Sequence, residues 1–162
     1  MTTLTDFASY DEIRAVLGVS DEELEDGTLA LPIYLKLLQM EFGDLNVDLE
    51  SKYLDVKALA APTAKEQKLL DVVSVFSAYA IAFHLLTSMP LFAPKQITDG
   101  RASTDRIADP FEGVREGVNS TLATLKGRVL AALEAAGTSI TATTSRTYFS
   151  VAGLAVNPIT NL

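Results

Sequence analysis

From Val72 to Pro94 the chain runs for 23 residues without a formal charge. No other feature narrows the fold so far, because a stretch this apolar has two stable destinations. About 20 apolar residues span the hydrocarbon of a bilayer. Alternatively, a helix that is apolar on every side is wrapped by other helices in a protein core. Ser74, Ser77, His84, Thr87, Ser88 and Pro90 interrupt the run. Lys65, Lys68 and Asp71 before it and Lys95 after it set no orientation by loop charge. The expectation is therefore the central helix of a soluble bundle. Thr63-Ala64-Lys65-Glu66 supplies a capping box for its first turn. Met89-Pro90-Leu91-Phe92-Ala93-Pro94 is an apolar loop whose prolines forbid simple continuation.

The segments on either side read as helices that cover this centre. Ser9-Tyr10-Asp11-Glu12 is a capping box ahead of Ile13, Val16 and Leu17, and Gly18 is suited to end the helix in a left-handed conformation. Ser20-Asp21-Glu22-Glu23 repeats the box and predicts a short acidic helix to about Glu25, followed by a turn at Asp26-Gly27. Pro32 suits a first turn. Ile33, Leu37, Leu38, Met40, Phe42, Leu45, Leu49, Tyr53, Val56 and Leu59 then extend one long helical region, with Gly43 as the candidate point for a bend or an interruption. Leu45 to Leu49 also alternates like a strand, but the longer frame favours helix. Asp99-Gly100-Arg101-Ala102-Ser103 is a turn-rich linker. Asp109-Pro110-Phe111-Glu112 then signals the last long helix. Its stripe is Phe111, Val114, Val118, Leu122, Leu125, Val129 and Leu133, and Gly137 is its stop. Gly113 and Gly117 cost this helix about 1 kcal/mol each relative to Ala, which predicts close approach of a neighbouring backbone. The fold class is mostly α: a small bundle of about four to five helices over residues 1–137, with a C-terminal extended or β arm over 138–162. At 162 residues the bundle suits one domain.

The residue inventory points away from catalysis. There is no cysteine and a single histidine, His84, whereas a zinc site needs three or four ligands. No carboxylate lies within four residues of His84, so it reads as a core or edge histidine. Ser and Thr residues concentrate in caps and the C-terminal segment, with no base beside them to activate a nucleophile. The pairs Asp21/Glu25 and Asp44/Asp48 have the spacing of solvated helix faces, and there is no Gly-rich phosphate loop. The chain is expected to be no enzyme and to need no metal or cofactor.

Net charge is −8 and unevenly placed. Residues 1–55 carry 13 acids and 3 bases (Arg14, Lys36, Lys52), a net of −10, and the remainder has a net of +2. Such a chain does not wrap nucleic acid by neutralising phosphates. The acidic half is either a solvated face, a surface for a basic partner, or one that repels passing DNA. Met1-Thr2-Thr3-Leu4-Thr5-Asp6 lacks a basic segment followed by an apolar run, which predicts no secretory signal and a cytoplasmic product.

The 25 residues after Gly137 change character. Thr and Ser abound, and Tyr148, Phe149, Val151, Leu154 and Val156 are apolar without helical period. The segment has too little pattern to fold alone and too many β-prone residues for a plain linker. It either folds back on its own bundle or adds strands to another subunit or partner. In the second case those five residues are the partner-binding set.

The layout resembles the head-to-tail adaptor (connector) proteins of tailed double-stranded DNA bacteriophages over most of residues 8–137. The likeness begins at Tyr10-Asp11-Glu12-Ile13-Arg14-Ala15-Val16-Leu17-Gly18-Val19 with Ser20-Asp21-Glu22-Glu23-Leu24, and continues at Pro32-Ile33-Tyr34. It is best from the apolar helix through Met89-Pro90-Leu91-Phe92-Ala93-Pro94-Lys95-Gln96-Ile97-Thr98-Asp99-Gly100-Arg101-Ala102-Ser103, with Arg106, Asp109, Phe111 and Arg115 beyond. The resemblance implies a virion structural protein, made in the host cytoplasm, that sits in the neck between head and tail. It implies a homo-oligomeric ring, commonly of twelve copies, docked beneath the portal protein and carrying tail or neck proteins below. DNA would pass through such a ring without specific binding, and no membrane is involved. Two other readings fit the residues: a holin-like membrane protein built on the apolar helix 72–93, and a soluble helical regulatory module.

Overall fold

The computed structural model describes residues 2–88, 96–99, 102–105 and 112–137, with the backbone alone described for 96–99 and 102–105. It is a mostly helical bundle. A 3-10 turn at Leu4–Asp6 leads into α1 (Tyr10–Leu17), α2 (Asp26–Leu29), α3 (Pro32–Leu45), α4 (Leu49–Lys57) and α5 (Ala64–Ser88). A short antiparallel hairpin, β1 (Gln96–Asp99) with β2 (Ala102–Asp105), precedes α6 (Glu112–Ala135). Residues 138–162 lie outside the described residues, as does the loop from Met89 to Lys95.

Helix ends follow the side chains that satisfy them. Ser9 Oγ accepts from the Glu12 amide at 3.2 Å, while the Glu12 carboxylate accepts from the Ser9 amide at 2.7 Å. Thr63 and Glu66 repeat this at the start of α5. Gly18 ends α1 at φ 69°, and Gly137 follows α6 at φ 85°, both left-handed positions that favour glycine.

Helix α5 is the centre. It packs against α1, α3, α4 and, most extensively, α6. Leu69, Val73, Phe76, Ala80 and Ile81 are fully buried within it. Phe7 meets Phe42 edge-on at 5.1 Å between ring centroids, and Phe42 stacks on Phe76 at 6.1 Å, which ties the N-terminal turn, α3 and α5 together. Leu122, Leu125, Val129 and Leu133 of α6 complete the core. Two hydroxyls of the apolar run are satisfied within the helix. Ser77 Oγ donates to the Val73 carbonyl at 2.7 Å and Thr87 Oγ1 to that of Phe83 at 2.9 Å, so burying this helix leaves neither hydroxyl unpaired. Among the described residues it is the one helix long and apolar enough to cross a membrane, and 56% of that stretch is buried inside the protein.

Several expectations are corrected. The long helical region from Pro32 to Leu59 is two helices, and the described residues form six α-helices where about four to five were expected. The break falls at Asn46, whose backbone is extended and whose Oδ1 accepts from the Asp48 amide at 2.8 Å. This side-chain turn offers the backbone an alternative to the helix ladder, while Gly43 stays inside α3. The second capping box forms its bond, Ser20 amide to Glu23 carboxylate at 2.9 Å, but caps a turn rather than a helix. The helix begins instead at Asp26, where a turn was expected, with Leu24 and Leu29 buried on either side as anchors. Within the stretch expected to be a linker, Asp99 pairs with Ala102 and Thr98 with Ser103 across the antiparallel hairpin. Among the described residues of α6, Val114 is exposed and the buried stripe runs from Val118 to Leu133, while Phe111 lies outside the described residues. Among the described residues, no atom outside the helix's own neighbourhood comes within 4 Å of a side chain added at Gly113 or Gly117, so the expected close backbone approach is not found there.

Candidate assembly surface

Two polar clusters and one apolar ridge stand out on this scaffold. The first cluster is built on Arg14, which the acidic composition around it suggests is a surface residue. It is buried, 7% exposed, because α1 turns it beneath the α1–α2 connection. Its Nε donates to the Leu24 carbonyl at 2.9 Å, and its terminal nitrogens donate to Asp11 and Asp26. The hydrogen bond to Asp26, followed by Asp11, raises the guanidinium's pKa further above its usual value. Arg14 thus displaces the predicted second helix, since it fixes both the Leu24 carbonyl and Asp26. Asp11, Asp21, Glu25 and Asp26 line an open cleft of about 650 Å³ over it.

The second cluster joins three helices. Glu41 of α3 places Oε1 3.4 Å from His84 Nε2 of α5, and Oε2 3.0 Å from Lys126 Nζ of α6. The neighbouring His84, then Lys126, holds the Glu41 carboxyl at about 2 against the opposing effect of burial. His84 therefore faces a carboxylate 43 positions earlier in the chain, which no local window reveals. A Glu in the polar face of α3 and a His in an apolar helix carry no sequence signal for pairing. Among the described residues no group of three or more His, Asp or Glu side chains is placed to hold a metal ion. The pairs Asp21/Glu25 and Asp44/Asp48 are exposed, but neither shares a helix face as their spacing predicts: Asp21 and Glu25 lie in the turn before α2, and the break at Asn46 separates Asp44 from Asp48.

The ridge runs along the outer side of α3. Ile33 and Met40 are 52% and 66% exposed, with Leu37 half-buried between them. Leu38 and Phe42 on the inner side are buried. Leu31 just before the helix and Val47 just after it are also exposed. These four belong to a group of seven exposed large hydrophobic residues among the described ones, so the apolar surface concentrates here. The residues expected to bind a partner, Tyr148, Phe149, Val151, Leu154 and Val156, lie outside the described residues.

No protein-family model, curated protein or solved structure matches the chain. The site must therefore be read from its own chemistry.

Proposed function

We propose that this chain is a head-to-tail adaptor of a tailed bacteriophage, a non-catalytic ring subunit joining the portal protein to the tail. The observation that carries the reading is the order of sequence features around the last two helices. A helix that is charge-free from Val72 onward leads through Met89-Pro90-Leu91-Phe92-Ala93-Pro94-Lys95 and Asp99-Gly100 to Ser103 and then into the final long helix, in the manner of that family. The scaffold supports it in two ways. The bundle closes at Gly137, which leaves 25 residues, among them Tyr148, Phe149, Val151, Leu154 and Val156, to act as an extended arm toward another subunit or the portal. The net of −10 over residues 1–55 keeps a channel wall from gripping DNA, since like charge disfavours phosphate contact. In this reading the ring holds about twelve copies, sits in the virion neck and passes the genome without specific binding.

Deleting residues 138–162 tests the arm. The shortened chain is expected to keep its helical bundle and to lose attachment to the portal, read by circular dichroism and by co-sedimentation with portal-bearing heads. Normal docking of the shortened chain would falsify the arm. Tracing α5 and α6 in a reconstruction of the virion neck tests the assignment as a whole.

The length and composition of α5 favour a second reading, a holin-like membrane protein. The burial of more than half of that stretch by neighbouring helices weighs toward the adaptor. Fractionation separates the two: an adaptor stays in the supernatant without detergent, and a membrane protein pellets with the lipid.

A further inference from the structure

We infer that the outer face of α3 is a contact between two copies of this chain, paired antiparallel about a two-fold axis at Met40. The inference does not depend on the adaptor reading and concerns the free chain.

Five residues form this face. Ile33, Lys36, Met40, Asp44 and Val47 are all exposed. They step by 3, 4, 4 and 3 along the chain, the intervals that keep side chains on one side of a helix. Val47 follows the cap residue Asn46 and stands at the end of the face. The spacing reads the same in both directions from Met40. Laid antiparallel on itself, α3 therefore sets Met40 against Met40, Lys36 against Asp44 twice, and Ile33 against Val47 twice. Half-buried Leu37 falls opposite Gly43, which has open space around it. A two-fold contact needs such self-complementarity, because the same patch serves both subunits.

Charge selects the occupant. Among the described residues, neither Lys36 nor Asp44 makes an ion pair within the chain. In the pair each meets its opposite, and the next exposed charge, Asp48, lies opposite Pro32. Residues 138–162 contain no acidic side chain and one base, Arg146. That segment, from the same chain or another, would bring no acidic side chain to Lys36. The net of −10 over residues 1–55 opposes approach, but exposed charges more than about 8 Å apart are largely screened at physiological ionic strength. Size sets the strength. Helix α3 has 14 residues and is about 21 Å long. Two such helices cover less than the roughly 800 Å² per partner of a standard interface, so the pair is reversible and depends on concentration.

Sedimentation equilibrium of the full chain across a range of concentrations reads the pair. The unaltered chain is expected to approach the mass of two copies reversibly. K36E and D44K should each weaken association about tenfold, since each sets like charges together at two places. The double variant K36E/D44K restores opposite charges and keeps the net at −8, so it should recover the original affinity. An equimolar mixture of K36E and D44K chains should recover it too, because every facing pair is again opposite. Circular dichroism verifies that each variant keeps its helices. A monomer at every concentration, single variants that associate unchanged, or a loss that the double variant or the mixture fails to restore overturns the pairing. An assembly larger than two that the charge swaps leave intact also overturns it. The chain without residues 138–162 should still pair; loss of pairing there would assign the face to that segment and overturn the inference.

Discussion

At the scale of single residues, Glu41 carries the most electrostatic weight. Its folded-state pKa of about 2 lies below the ordinary 4.5. Its contribution to stability is therefore complete above about pH 4.5 and lost as the pH falls toward 2. The difference corresponds to roughly 3 kcal/mol at neutral pH. Glu41→Gln is expected to destabilise the chain at pH 7, leaving Lys126 without its carboxylate, and to flatten the loss of stability between pH 4.5 and 2. Urea unfolding at a series of pH values reads both effects. An unchanged acid slope in the variant would show that other carboxylates govern it. Phe42 is the corresponding apolar residue, 1% exposed and in contact with the rings of both Phe7 and Phe76. Phe42→Ala is expected to cost about 3–5 kcal/mol, measured as a drop in the urea midpoint at constant slope.

At the scale of elements, α6 is the helix whose composition and setting disagree most. Gly113 and Gly117 weaken it, yet both face open space. Within the isolated chain these glycines return nothing for their cost. Gly117→Ala is therefore expected to stabilise the free protein by about 1 kcal/mol. Gly113→Ala should contribute less, because it lies in the first turn. A loss of thermal stability in either variant would contradict the open setting of α6. Glycine at position 18 differs, because its φ of 69° disfavours a side chain even with space around it. Gly18→Ala is expected to cost about 1 kcal/mol, read by the same unfolding measurement.

At the scale of the molecule, helix α5 organises everything else, since each of α1, α3, α4 and α6 packs against it. This arrangement predicts one cooperative transition for the bundle. Removing residues 138–162 should leave its midpoint within about 2 °C of the full chain if the arm makes no stable contacts with its own body. Scanning calorimetry of the two chains decides this. A large downward shift would mean that the segment completes its own core, and the outward arm would then be wrong.

Much of the scaffold was legible because its signals are local. The capping boxes at Ser9 and Thr63, the left-handed glycines at 18 and 137, and the apolar frame of α5 each depend on residues within a turn or two. What sequence alone determined was therefore the helical class, the central helix and most helix starts. Apart from the break at Asn46, a local side-chain turn that the helical frame concealed, the rest required contacts between distant residues. The break at Asn46 arises where a buried side chain turns back on the Asp48 amide. The shift of α2 follows from Arg14 holding Leu24 and Asp26, 10 and 12 positions away. The union of Glu41 with His84 and Lys126 and the exposure of Ile33 and Met40 were decided only when three helices met on α5. A periodic stripe says which side of a helix is apolar. Only tertiary packing says whether another helix arrives to cover it.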